Sequence, residues 1–174
     1  ALKLDDSLSN AGTESSGLFP LLATEAHVVL GYRTPGSALS LDDFIALSFL
    51  EHYLSGVLYN KLRVERALSY SPSAAFYDID HVGFFDVGAS VVIDKVDVTL
   101  AALRSIISDV IEEGPALDRF EIVKQGLLLG LTGTYESPDS IADLYAAWAY
   151  SIKTQNELPD YETEYRSITP EKVR

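Results

Sequence analysis

Hydrophobic and polar positions in the first part of the chain predict a strand followed by a long helical region. The apolar, β-branched run that begins at Ala26 is typical of a strand, and the turn Thr34-Pro35-Gly36 ends it. Ser40 then provides a helix N-cap. Gly56 is expected to divide the helical region into a longer and a shorter helix. The apolar positions of this region recur at spacings of three and four, the period of one helical face: Phe44, Leu47, Leu50, Leu54, Leu58 and Leu62.

Residues 70–80 and 83–93 are two aromatic and β-branched runs that predict an antiparallel hairpin. The remainder of the chain has helical spacing. One predicted helix ends at Gly114-Pro115, a second follows it, and a third begins at Ser137-Pro138. Residues 167–171 are typical of the start of one more helix. The apolar positions of the three longer helices are Val96, Leu100, Leu103, Ile107, Val110, Phe120, Val123, Leu127, Leu131, Ile141, Leu144, Trp148 and Ile152.

The order of strand, helices, hairpin and further helices predicts an α+β fold. We expect two layers, with helices covering one face of a mostly antiparallel sheet. Residues 1–17 are polar and rich in Ser and Gly, which is typical of a linker or a loose entry segment. Residues 18–174 are expected to form a single domain.

Composition excludes several classes of function. The net charge of −13 opposes nucleic acids and anionic membrane surfaces, so neither is expected as a partner. The chain has no cysteine, which excludes disulfides, thiolate metal sites and a cysteine nucleophile. No apolar run approaches the roughly 18 residues that a membrane-spanning helix needs. These features predict a soluble domain.

The chain contains an incomplete zinc-peptidase motif. Ser48-Phe49-Leu50-Glu51-His52 has the glutamate and the second histidine of H-x-x-E-H, but Ser48 replaces the first histidine. We therefore expect Glu51 and His52 to lie on a helix surface, with no metal ligand and no catalytic residue in this chain. Three glycines, Gly126, Gly130 and Gly133, are spaced for one helix face. They predict a helix whose backbone packs closely against a neighbour.

The segment Leu62-Arg63-Val64-Glu65-Arg66-Ala67-Leu68-Ser69-Tyr70 fits the pattern L-R-x-x-x-x-L-x-Y. Together with Gly83-Phe84-Phe85 and the Thr-Pro-Glu near the end of the chain, it resembles the pitrilysin/insulinase/mitochondrial processing peptidase family of zinc metallopeptidases. The likeness is to the second, non-catalytic domain of that family and covers roughly residues 18–174. The sequence departs from many bacterial relatives, which have Leu-Arg-Glu-Lys, because Val64 follows Arg63.

The resemblance implies a function for the chain. In this family a catalytic half carries H-x-x-E-H and zinc, and the non-catalytic half closes over it to form a peptide-degrading or processing chamber. Arg63 and Tyr70 are then expected to bind substrate, facing one shared concavity. The expected partners are the catalytic domain or subunit, on the same chain or a separate one, and a peptide that adds a strand to a sheet edge. Zinc is expected in the partner half and no cofactor in this chain, which should be inactive alone.

Two further expectations accompany the resemblance. The family domain continues past the Thr-Pro-Glu segment with a helix and a final strand, so the chain is expected to lack both. The alternative function is a structural core or scaffold subunit with the same fold and no peptidase activity.

Overall fold

Three strands form one antiparallel sheet in the computed structural model, which describes residues 24–36, 39–79, 82–151 and 159–174. The strand order is β1–β3–β2. The strands are β1 (Glu25–Thr34), β2 (Ser73–Ile79) and β3 (Val82–Val92), and the helices are α1 (Leu41–Leu58), α2 (Val96–Glu113), α3 (Leu117–Glu136), α4 (Pro138–Ser151), α5 (Tyr161–Ser167) and α6 (Pro170–Val173). A π-helical turn (Tyr59–Val64) follows α1, and a 3₁₀ turn (Ile93–Lys95) precedes α2. The predicted α+β class is confirmed; residues 1–17, Asp80, His81 and Ile152 lie outside the described residues.

The central strand β3 carries the core on one of its two faces. Successive side chains of a strand point to opposite faces, and alternate residues of β3 from Phe85 to Val91 are buried. Helices α1 and α2 cover this face and contribute Phe49, Leu58 and Leu103, each fully buried. Each such side chain stabilises the fold by about 1.5–3 kcal/mol relative to its exposed state. Helices therefore cover one face of the sheet, as the sequence predicts.

The predicted ends of several elements are confirmed by their local hydrogen bonds. Ser40 Oγ accepts a hydrogen bond from the backbone N–H of Asp43 at 3.1 Å and so caps α1. Gly114 has a φ of 78°, which a residue with a side chain adopts only at a cost, and it ends α2. Ser137 caps α4, where its Oγ accepts from the Ser140 N–H at 3.3 Å. The residues that end these helices act locally, which is why sequence alone reveals them.

Two expectations about glycines are wrong. Gly56 does not divide the helical region, because α1 continues through it to Leu58 and the geometry changes at Tyr59. The space that a Gly56 side chain would occupy is taken by the guanidinium of Arg119. In the described part of the chain the three glycines of α3 do not pack against a neighbour either, since apart from their own helix backbone nothing lies within 4 Å of where their Cβ atoms would be. The surroundings of Gly56 and of the α3 glycines depend on which helices pack against each other, and this packing involves residues far apart in the sequence.

The outer edge of β2 is closed by side chains of α1. Ser55 Oγ donates to the Ala74 carbonyl at 3.3 Å and accepts from the Ala74 N–H at 3.1 Å. Residues two apart in a strand direct their backbone groups to the same side, so Phe76 presents its N–H at the same edge as Ala74. The Glu51 carboxylate accepts a hydrogen bond from this N–H. Helix α1 therefore satisfies backbone groups that an edge strand normally presents to solvent or to another chain.

Helix α5 was not predicted from the sequence, although it belongs to the core. Its Tyr161 and Tyr165 are each 7% exposed. The Tyr165 hydroxyl lies 3.3 Å from Ser48 Oγ on α1, so α5 packs against the first helix. The two residues are more than a hundred positions apart in the sequence. None of the described helices is long and apolar enough to cross a membrane.

Replacing Phe120 with alanine should destabilise the domain strongly. The Phe120 ring is 1% exposed and its centroid lies 4.6 Å from that of Phe49, which joins α3 to α1. Loss of this ring leaves a cavity, so we expect the free energy of unfolding, measured in urea, to fall by about 3–5 kcal/mol. The control is Leu129→Ala on the same helix, where the side chain is 74% exposed and the expected change is within about 0.5 kcal/mol. Equal effects at the two positions would contradict this packing.

Replacing Glu51 with glutamine should raise stability at neutral pH and leave it unchanged in acid. Burial raises the pKa of Glu51, so the folded state holds this proton more tightly than the unfolded chain does. The contribution of Glu51 to stability is therefore present below the unfolded pKa and is lost as pH rises through the folded pKa. Glutamine keeps an oxygen acceptor for the Phe76 N–H without the charge.

Thermal unfolding at pH 3 and pH 7 measures this effect. We expect the melting temperature of the Glu51→Gln variant to exceed that of the unmodified domain at pH 7 alone. Glu121→Gln, at an exposed position of α3, should change neither value. A melting temperature lowered at pH 7 would contradict the assigned burial cost.

Candidate functional site

The L-R-x-x-x-x-L-x-Y segment begins in the π-helical turn that follows α1. In this turn the Glu65 N–H donates to the Asn60 carbonyl at 2.9 Å. The acceptor lies five residues earlier in the chain, whereas in an α-helix it lies four residues earlier. Leu62 is fully buried and anchors the turn to the core. Arg63 follows Leu62 directly, so the backbone of Arg63 is held in place. Arg63 itself is half-exposed, and its side chain extends to the surface. Single π-helical turns occur frequently at functional sites.

The Arg63 guanidinium contacts two aromatic rings and one carbonyl. Its Cζ lies 4.1 Å from the ring centroid of Tyr70 and 5.0 Å from that of Tyr59. Arg63 Nη1 also donates to the Tyr70 carbonyl at 3.1 Å. Both rings are within the roughly 6 Å over which a cation is attracted to an aromatic face. The structure therefore brings the two predicted site residues into direct contact.

The connection from Arg63 to Tyr70 is held by hydrogen bonds to buried groups. The Leu62 carbonyl accepts from the Leu68 N–H at 2.7 Å, and the intervening Ala67 has a φ of 48°. Ser69 is 6% exposed, and its Oγ donates to the Ser90 carbonyl of β3 at 2.8 Å. Ala67 is the one described residue other than glycine with a positive φ, a conformation that costs about 1–3 kcal/mol and is common at functional sites.

Tyr70 lies outside the sheet. The sequence placed it at the start of the hairpin, whereas β2 begins at Ser73. Its side chain is 78% exposed, which excludes a role as a core aromatic. Tyr59, which also contacts the Arg63 guanidinium, was not predicted from the sequence. Its position four residues before Arg63, on the same side of a helical turn, is the signal that could have identified it.

The residues of the incomplete zinc motif have other contacts and do not fit a zinc ion. Ser48 contacts the Tyr165 hydroxyl, Glu51 accepts from a β2 backbone N–H, and His52 Nδ1 lies 2.9 Å from the Ser48 carbonyl. Among the described residues, no group of three or more histidine and acidic side chains could hold a metal ion. Glu51 is half-buried, so the expectation that it lies on a helix surface is only partly met.

A depression lies between α3 and α5, and neither Arg63 nor Tyr70 is among the residues that line it. It has a volume of about 250 Å³, and Leu128, Tyr135 and Arg166 are among the residues that line it. Arg166 is paired there with Glu162 of the same helix at 2.7 Å. Burial raises the pKa of the nearby Tyr161 to about 12, so its phenol remains protonated at neutral pH.

Comparisons with known proteins agree with the fold and with the predicted family. Residues 16–127, more than half of the chain, match the family model of the peptidase M16 inactive domain. No curated protein matches the chain. A protease from Helicobacter pylori has a TM-score of 0.77 at 17% identity, over 86% of this chain and 36% of that one.

Two other solved structures are described as inactive domains. A peptidase M16 inactive domain from Pseudomonas fluorescens has a TM-score of 0.75 at 19% identity, over 89% of this chain and 37% of that one. An inactive peptidase domain from Bordetella parapertussis has a TM-score of 0.69 at 17% identity, over 91% of this chain and 86% of that one. The chain thus spans little more than a third of the first two structures. By its family match, and with the fold that these structures share, the chain belongs to the peptidase M16 inactive domains.

Proposed function

We propose that the domain is the substrate-binding half of a zinc-dependent endopeptidase, in which Arg63 and Tyr70 hold the peptide near the bond that is cleaved. Cleavage belongs to a catalytic half that carries H-x-x-E-H and zinc, and the two halves together enclose the peptide. The observation that supports this role most directly is the contact of the Arg63 guanidinium with the 78% exposed ring of Tyr70. The family match supports the catalytic partner.

The chemistry of the pair suits a peptide backbone. A guanidinium has five N–H donors and a phenol has one, while peptide carbonyls accept hydrogen bonds. One hydrogen bond of Arg63 goes to the Tyr70 carbonyl. No carboxylate pairs with Arg63 in the described part of the chain, although the chain has twice as many acidic as basic residues (26 against 13). The remaining donors are therefore free to bind substrate carbonyls.

The open edge of the sheet offers a second set of contacts for an extended peptide. Helix α1 closes the outer edge of β2 through Ser55 and Glu51. The outer edge of β1 pairs with no strand among the described residues. A peptide added beside β1 would gain main-chain hydrogen bonds, which give affinity without a strict demand on sequence. The chain's negative charge favours basic peptides over acidic ones.

One observation favours the alternative function, a scaffold subunit without peptidase activity. Arg63 donates a hydrogen bond to the backbone carbonyl of Tyr70 itself. A scaffold without a peptide site could use this bond simply to hold the loop that connects the two residues. The two functions differ in what loss of Arg63 changes. A scaffold role predicts that Arg63→Gln lowers the melting temperature, whereas substrate binding predicts that it lowers peptide cleavage.

Replacing Tyr70 with phenylalanine in the complete two-half enzyme should slow peptide cleavage about a hundredfold, the typical effect of losing one hydrogen-bond donor to the transition state. Folding should be unchanged, because the hydroxyl lies on a 78% exposed side chain. Tyr77→Phe is the matched control, since Tyr77 is 41% exposed on β2 and should change neither property. Unchanged cleavage in the Tyr70→Phe variant would contradict the role of this hydroxyl.

The domain alone should hold no zinc after dialysis against buffer without chelator. A catalytic zinc typically needs three protein ligands, and here Ser48 replaces one histidine while His52 is engaged with a backbone carbonyl. Elemental analysis of the purified domain measures the metal content. One zinc ion retained per chain would place metal chemistry in this half and contradict the proposed division of roles.

A further inference from the structure

Tyr59 is an exposed aromatic residue with no role in the motif that identified the site. It is the first residue of the π-helical turn and is 43% exposed. Burial therefore does not explain why an aromatic side chain stands there. Its ring centroid lies 5.0 Å from Arg63 Cζ, four residues along the same turn. Tyr59 thus contacts the guanidinium from its own helical segment, whereas Tyr70 contacts it from beyond the connecting loop.

An arginine side chain that must meet a substrate at one place benefits from being held before the substrate arrives. A free arginine side chain loses rotamer entropy when it is fixed in one conformation. Ion pairing with a carboxylate could fix it, but that would occupy the donors that the substrate needs. An aromatic face attracts the cation without accepting its in-plane hydrogen bonds, so the donors remain available.

We propose that Tyr59 is a positioning residue for Arg63: its ring holds the guanidinium in place beside Tyr70 so that the remaining N–H groups face the peptide. This inference rests on the proposed function. The π-helical turn contributes to it, because the buried Leu62 fixes the turn on one side while Tyr59 and Arg63 emerge together on the other. The ring carries this role and the hydroxyl does not.

Three variants at position 59 separate the ring from the hydroxyl and from folding. In the complete two-half enzyme, Tyr59→Phe should keep kcat/KM within about twofold, because the aromatic face is retained. Tyr59→Leu should lower kcat/KM about tenfold, within the range that a cation–aromatic contact supports. Tyr59→Gln, which suits a helix, should reproduce the loss if the leucine variant folds poorly. Tyr145→Leu is the control, since Tyr145 is a 53% exposed tyrosine on α4.

A double-mutant cycle with Arg63 tests whether Tyr59 acts through it. In an Arg63→Gln background, Tyr59→Leu should cause no further loss of kcat/KM, because the group that Tyr59 positions is absent. A full additional loss in that background, or wild-type cleavage by Tyr59→Leu alone, would overturn the positioning role and leave the proposed function standing. Unchanged cleavage in Arg63→Gln itself would instead overturn the proposed function.

Discussion

The packing of α1 against β2 is the interaction on which the rest of the structure depends. Helix α1 fills the core with residues such as Phe49 and Leu58, and through Ser55 and Glu51 it also binds the backbone of the edge strand. One helix therefore buries apolar surface and satisfies polar edge groups at once. Because the edge of β2 is occupied, β1 has the one outer edge of the described sheet that lacks a partner.

The candidate site follows from where α1 ends. Leu62 continues the buried face of the helix beyond its last α-helical residue, and the π-helical turn then brings Arg63 to the surface. On the other side of the loop, the buried Ser69 ties the chain to β3 and leaves Tyr70 exposed. The Arg63–Tyr70 contact is thus supported at both ends by core residues. This rigidity matters for a site whose proposed task is to hold a flexible peptide.

Elements whose structure is set by neighbouring residues could be predicted from the sequence, whereas features set by distant residues could not. The Ser40 cap, the end of α2 at Gly114 and the hairpin of β2 and β3 each involve near neighbours in sequence, so the pattern reveals them. The continuation of α1 through Gly56 could not be predicted in the same way, because its free side is filled by Arg119 from α3. The motif identified Arg63 and Tyr70 through family resemblance alone, and only the geometry of the turn added Tyr59 to them.

Photo-crosslinking at position 70 tests the central claim, that the exposed face beside Arg63 meets the peptide. In the complete two-half enzyme, Tyr70→p-benzoylphenylalanine should crosslink to a bound peptide on irradiation. The same replacement of Tyr135, a 44% exposed residue beside the depression between α3 and α5, should not crosslink. Crosslinks at position 135 and none at position 70 would contradict the account, because the peptide would then bind at the other depression.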